Sequence, residues 1–233
     1  MPANLNRLTT KTMAKRKKNP APEGQTERRA VIVPVVLEKR DDEAESRHVS
    51  GYAAVFDQKT NIGGWYEEQI ARGAFDECDF SHCVLNWNHD DSSLLGRVSS
   101  GTLKLEVDEK GLRFDCDLPD TTLGNDILTL IRRGDIEGCS FAFIVRENKW
   151  EWLSDEDPSL LDQRTITKIS AVYDVSVVTH PAYEQTSVDA RSAEAARDEH
   201  KEQRQKEEEE KQQAEAESQS RLRQMQTITL NIF

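Results

Sequence analysis

The chain has 233 residues, 43 Asp and Glu against 31 Lys and Arg, a net charge of -12 and a hydrophobic content of 36%. That length fits one domain with appendages or two small ones, and the acidity argues against a protein built to coat nucleic acid. No apolar run approaches the roughly 20 residues that span a bilayer, and residues 1–29 lack the apolar centre of a secretory signal, so a soluble, cytosolic chain without membrane contact is expected.

Residues 1–29 hold Lys15-Arg16-Lys17-Lys18, Pro20 and Pro22 and almost nothing apolar, the composition of a disordered basic arm. A folded domain is expected over residues 30–188. It opens with a β-branched strand at 30–37 and a second at 48–56, where Val49, Gly51, Ala53 and Val55 alternate with Tyr52, Ala54 and Phe56. Residues 61–64 read as a loop, and 67–75 as a helical turn halted by Gly73. The alternation over 83–89 predicts a strand that sets His89 on the face of Cys83, Leu85 and Trp87. Residues 103–107 and 112–118, joined by a turn at 109–111, predict a hairpin with one buried face. A helical pattern over 125–133 stops at Gly134, and a strand over 140–145 follows with Ser140 at its start. Trp150 and Trp152 precede a polar loop, and residues 166–178 read as strands with Val172, Asp174, Ser176 and Val178 on one face. Residues 189–233 form a charged tail, helical or disordered, with Glu202/Lys206 and Glu207/Lys211 at helical spacing but no apolar heptads. Its end, 228–233, alternates like a strand that either joins a partner's sheet or frays. The fold class is mainly β with peripheral helices (α+β), a barrel or a sandwich. Cys78, Cys83, Cys116 and Cys139 read as reduced thiols.

A serine hydroxyl is a poor nucleophile until a base takes its proton and an acid holds that base in the right tautomer. Ser140 has the small Ala142 on its own face, which leaves room for a substrate backbone, while His89 and Asp174 offer the imidazole and the carboxylate. The order His, Ser, Asp matches none of the familiar hydrolase orders, and no Gly-x-Ser-x-Gly is present, so spacing alone leaves a triad and a structural serine both open. Cys78, His82, Cys83 and His89 match no standard zinc spacing. Asp90 is a rival orienting acid, but as a strand neighbour of His89 it would point away from it. Arg97 is open to two roles, oxyanion contact or surface ion pair, and His48, His180 and His200 read as surface or loop residues.

Five short motifs in order carry a resemblance. They are Ser50-Gly51-Tyr52-Ala53-Ala54-Val55-Phe56; Glu68-Gln69-Ile70-Ala71-Arg72-Gly73-Ala74-Phe75; Asn88-His89-Asp90 with Leu95-Gly96-Arg97; Gly138-Cys139-Ser140-Phe141-Ala142-Phe143; and Asp174-Val175-Ser176-Val177-Val178 with Pro181-Ala182. Through them the chain resembles the prohead (capsid-maturation) serine proteases of tailed bacteriophages. The resemblance implies a β-barrel ringed by helices, like that of the herpesvirus assembly proteases. It also implies a serine endopeptidase needing no cofactor, with Ser140 as nucleophile, His89 as base and Asp174, less firmly matched, as the acidic third member. The implied partners are the major capsid protein precursor, the scaffold protein and further copies of the chain, met inside the prohead assembling in the host cytoplasm. Self-cleavage of the arms is expected as well, and a non-enzymatic scaffolding protein with an inactive barrel is the alternative.

Overall fold

A computed structural model describes residues 26–31, 35–37, 46–136, 138–179 and 187–230. The basic cluster at 15–18, His180, the motif residues Pro181 and Ala182, and residues 231–233 lie outside the described residues.

The spine is an antiparallel pair, β10 (Gly138–Glu151) and β11 (Asp162–Val178), rich in the aromatic and β-branched residues that fit a pleated, half-buried surface. β1 (Thr26–Val31) adds to the free edge of β10. The opposite edge of β11 is shared by two parallel partners, β5 (Tyr66–Ile70) along Asp162–Ile166 and β6 (Val84–Trp87) along Asp174–Val177. β4 (Thr60–Ile62) pairs with β5 and β7 (Asp90–Arg97) with β6, completing a seven-stranded sheet. The second sheet has the order β2 (Val36–Leu37), β3 (His48–Val55), β9 (Gly111–Asp117), β8 (Leu103–Val107). One apolar cluster runs through both sheets and includes Val49, Leu85, Leu112, Phe114, Phe141, Phe143 and Val175. Gly111 in β9 is where the backbones come closest: a Cβ there would lie 2.0 Å from the Ala54 carbonyl oxygen.

Helix α1 (Thr122–Arg133) ends as its sequence dictates. Thr121 caps its start by accepting the Gly124 N–H at 3.1 Å, and Gly134 terminates it at φ 78. Its buried stripe, Ile127, Leu128 and Ile131, belongs to the common core, and the chain passes directly from Gly134 into β10 with Ser140 near its start.

The mainly β architecture with two helices is as expected, whereas a single closed barrel is not seen: neither sheet closes among the described residues. Several local expectations are corrected. Residues 66–70 form strand β5, not a helical turn, because parallel pairing with β11 satisfies its backbone and buries Tyr66, Glu68 and Ile70 on alternate positions. The expected loop at 61–64 begins in strand β4. The expected strand at 30–37 falls in β1 and β2, which lie in different sheets, and β1 takes in Thr26–Arg29, part of the stretch assigned to the arm. Bulged Tyr173 shifts the phase of β11, since Asp174 pairs with Ala142 but Val172 with Phe143, so Val172 and Asp174 face opposite ways. His48 is buried, its Nδ1 2.8 Å from Asp117.

Helix α2 (Ser187–Leu230) runs 44 residues, and residues 228–230 end it rather than forming a strand. No helix among the described residues is long and apolar enough to cross a membrane. Near its start, Arg197 donates to Asp162 at 2.5 Å, Arg204 donates to Asp155 at 2.8 Å, and His200 stacks on Trp152 at 4.7 Å between ring centres. Burial pushes the Asp162 carboxyl up, but hydrogen bonds from Ser154 and Arg197 more than offset this and hold it below its ordinary value. A carboxyl so lowered contributes stability above its unfolded pKa of about 3.9 and loses it as pH falls through the lower folded value. Acidification through that range is therefore expected to release the start of α2, read as a change in Trp150 and Trp152 fluorescence; Arg197→Ala should produce the same change at neutral pH.

Candidate active site

His89 reaches the site from a turn rather than from a strand face. β6 and β7 are joined by the two residues Asn88 and His89, with φ 51 and 57, the positive pair that a tight hairpin matched to strand twist requires. Asn tolerates that region far better than a β-branched residue does. The turn is held against β11 at each residue: Asn88 N–H donates to the Val177 carbonyl at 3.0 Å, Thr179 N–H to Asn88 Oδ1 at 3.2 Å, and His89 N–H to Ser176 Oγ at 2.8 Å. Asn88→Val places a β-branched side chain in the left-handed region and removes the Thr179 partner. It is expected to cost about 1–3 kcal/mol of stability and to lower activity by displacing His89, whereas Asn88→Gly, which gives up the exposed Thr179 bond too but takes positive φ freely, should keep most of both. Thermal unfolding and kcat/KM, measured together, check this.

Ser140 on β10 lies opposite Ser176 on β11, and Asp174 lies two pairs along, opposite Ala142, so hydroxyl and carboxylate emerge on the same face of neighbouring strands. The His89 ring lies between them. Its Nε2 is 2.7 Å from Ser140 Oγ and its Nδ1 is 2.7 Å from Asp174 Oδ1. Ser140 and Asp174 are buried, at 4% and 7% exposure. A hydroxyl, an imidazole and a carboxylate linked in this order can move a proton off the oxygen while the carboxylate holds the ring's tautomer and balances its charge.

The three predicted side chains thus converge, and the rivals do not join them. Asp90 is exposed and engaged with Ser92 and Ser93, which hold its carboxyl below its ordinary value. Arg97 is exposed at the end of β7. His82 is exposed while Cys83 is buried. Cys139, beside Ser140, is fully buried, and burial alone pushes its thiol far above the ordinary cysteine range, so the adjacent sulfur is no competitor as a nucleophile. All four cysteines are free thiols. Asn86, on β6, is fully buried, and its side-chain amide has no hydrogen-bond partner among the described residues.

A second cluster adjoins the first and was missed by the sequence reasoning. Ser140 Oγ donates to the carbonyl oxygen of Arg29 at 3.0 Å. The Arg29 side chain runs into a buried ionic group: its Nε and Nη2 donate to Glu68, the latter at 3.0 Å, and Nη2 also contacts Tyr66 Oη at 3.3 Å. Arg164 donates to both oxygens of Glu27 at 2.8 and 2.9 Å and to Glu68 at 2.9 Å. Burial pushes the Glu27 carboxyl up, but Arg164 and then Arg29 pull it below its ordinary value, while the carboxylates hold Arg29 and Arg164 above the ordinary arginine range. The one signal available in the sequence was a charged residue at alternate positions of Glu27 and Arg29, which a strand turns to one side.

Comparison with known families matches residues 35–202 to the model described as Caudovirus prohead serine protease. No curated protein and no solved structure matches the chain.

Proposed function

Because the chain belongs to the caudovirus prohead serine protease family, we propose that it is an endopeptidase of capsid maturation in which Ser140 is the nucleophile, His89 the general base and acid, and Asp174 the group that orients His89. The observation that carries this is the unbroken run of short contacts from Ser140 Oγ through the two ring nitrogens to Asp174 Oδ1. In the forward step Ser140 Oγ attacks a peptide carbonyl carbon as its proton passes to His89 Nε2. His89 then returns that proton to the leaving amine, and a water repeats the sequence to release the acyl group. The substrates are the capsid precursor, the scaffold protein and the chain itself, reached inside the assembling prohead. The protease domain spans residues 30–188, flanked by the arm 1–29 and the tail 189–233. The long, acidic α2, exposed over residues 201–219, suits a segment that carries the enzyme into the shell. We propose a fold related to the herpesvirus assembly-protease barrel, a reading with which the single core that the two open sheets share is consistent.

A serine-directed phosphonylating probe tests the nucleophile without any knowledge of cleavage sites. One adduct per chain, mapped to Ser140 and lost in His89→Ala, is expected. Labelling elsewhere, or none in a chain that cleaves capsid precursor, would refute the assignment. The long acidic helix also suits the scaffold alternative, which predicts no adduct and no cleavage.

A further inference from the structure

Strand β1 has the attributes of a bound substrate. It is an edge strand, antiparallel to β10 from Thr26↔Ile144 to Val31↔Cys139, and such strand addition is a common way for a sheet edge to hold an extended peptide. It lies outside the residues 35–202 that the family model matches, whereas Ser140, Glu68 and Arg164 all lie within them. Its Arg29 carbonyl oxygen accepts from the Ser140 hydroxyl at 3.0 Å. Its two inward side chains each meet an opposite charge from the body: Arg29 meets Glu68 from β5, and Glu27 meets Arg164 from β11.

Burying two arginines and two glutamates is a poor way to gain stability, because desolvation offsets most of the attraction. The same cluster gains specificity: Glu68 and Arg164 meet each other as well as β1, so an acid in place of Arg29 sets like charges together and a neutral side chain leaves Glu68 short of hydrogen bonds. We propose that β1 occupies the substrate groove in cis, that the Arg29–Ala30 bond is a self-cleavage site, and that Glu68 and Arg164 are specificity residues selecting arginine immediately before the cut and an acid two residues earlier. This rests on the assignment of Ser140 as nucleophile and adds to it the site and rule of cleavage.

The chemistry starts from a contact already made. The one proton of Ser140 has two acceptors within reach, Arg29 O and His89 Nε2. When it goes to His89, Oγ is free to turn from the Arg29 carbonyl oxygen onto the carbon bonded to it, approaching from above the peptide plane. The C–N bond to Ala30 then breaks as His89 protonates the departing amine, leaving Arg29 esterified to Ser140. Water attacks that ester, giving its proton to His89, and releases the Arg29 carboxylate with Ser140 restored. Loss of the segment ending at Arg29 leaves Glu68, Arg164 and the β10 edge available to a capsid or scaffold segment of the same acidic-x-Arg pattern.

The test uses the full chain. Intact mass and N-terminal sequencing should find a new terminus at Ala30, absent in Ser140→Ala. Arg29→Glu should abolish that cut, Arg29→Lys should retain part of it, and Glu68→Gln should slow it by about 100-fold or more. Melting temperature checks that each variant folds. As a second measurement, a synthetic peptide of residues 24–35 should be cut by the processed chain between its Arg and Ala, and its Arg-to-Ala counterpart should not. A chain that cleaves capsid precursor yet stays intact at Arg29, and leaves the peptide uncut, overturns this proposal while sparing the protease assignment. A cut at Arg29 that proceeds at the original rate in Glu68→Gln overturns the recognition rule. No cleavage of any substrate by the folded chain overturns both.

Discussion

Replacing Ser140 by alanine is expected to lower cleavage of the capsid precursor by about a millionfold, the scale on which loss of a triad nucleophile acts elsewhere, while leaving the protein folded. The catalytic loss follows because Cys139 is the neighbouring nucleophilic atom, and it is buried with its thiol pushed far up. The structural loss is limited. Ser140 Oγ contacts His89 Nε2 and the Arg29 carbonyl, and leaving buried partners unmatched costs about 1–3 kcal/mol. The expected result is therefore a chain with a melting temperature lowered by several degrees and no measurable turnover. Residual cleavage within a hundredfold of the original rate would place the nucleophile elsewhere.

Replacing Asp174 by asparagine should reduce kcat by about 10⁴ with little change in KM. The side chain keeps its shape between β10 and β6, so the cost is electronic. An amide gives His89 Nδ1 no charge to balance the imidazolium, and it can present an N–H that turns the ring to the wrong tautomer. A purely structural Asp174 would instead show its loss in melting temperature, with kcat nearly intact. Asp90→Asn is the matched control: its carboxylate serves Ser92 and Ser93 at the protein surface, and no change in rate is expected.

Much of the local structure was legible because it is decided locally. The β8–β9 hairpin, α1 with its Gly134 stop, and the strand beginning near Ser140 follow from alternation, periodicity and a residue able to take positive φ. Errors arose where a distant partner decides the conformation. The motif around Glu68 has a helical look, yet β11 draws it into a parallel strand, and the buried carboxylate is tolerated only because Arg29 and Arg164 come from remote parts of the chain to meet it. Thr26 to Arg29 read as arm because the stretch is polar; those charges become strand residues once they have partners. His89 was placed on a strand face, whereas the Asn88-His89 turn aims it, and the phase of Asp174 was drawn without the bulge at Tyr173.

From its residues alone the chain declared a mainly β architecture, its family, and a short roster of polar side chains fit for hydrolysis, because composition, short-range pattern and motif order need no knowledge of what packs against what. Only the tertiary structure decided that Ser140, His89 and Asp174 meet within hydrogen-bond distance, and that Arg29 lies against them with Glu68 and Arg164 as its company. Those decisions rest on strand pairing across long sequence separations, on a bulge and on a left-handed turn. Each is set by which backbone and which charge a segment finds beside it once the core has closed.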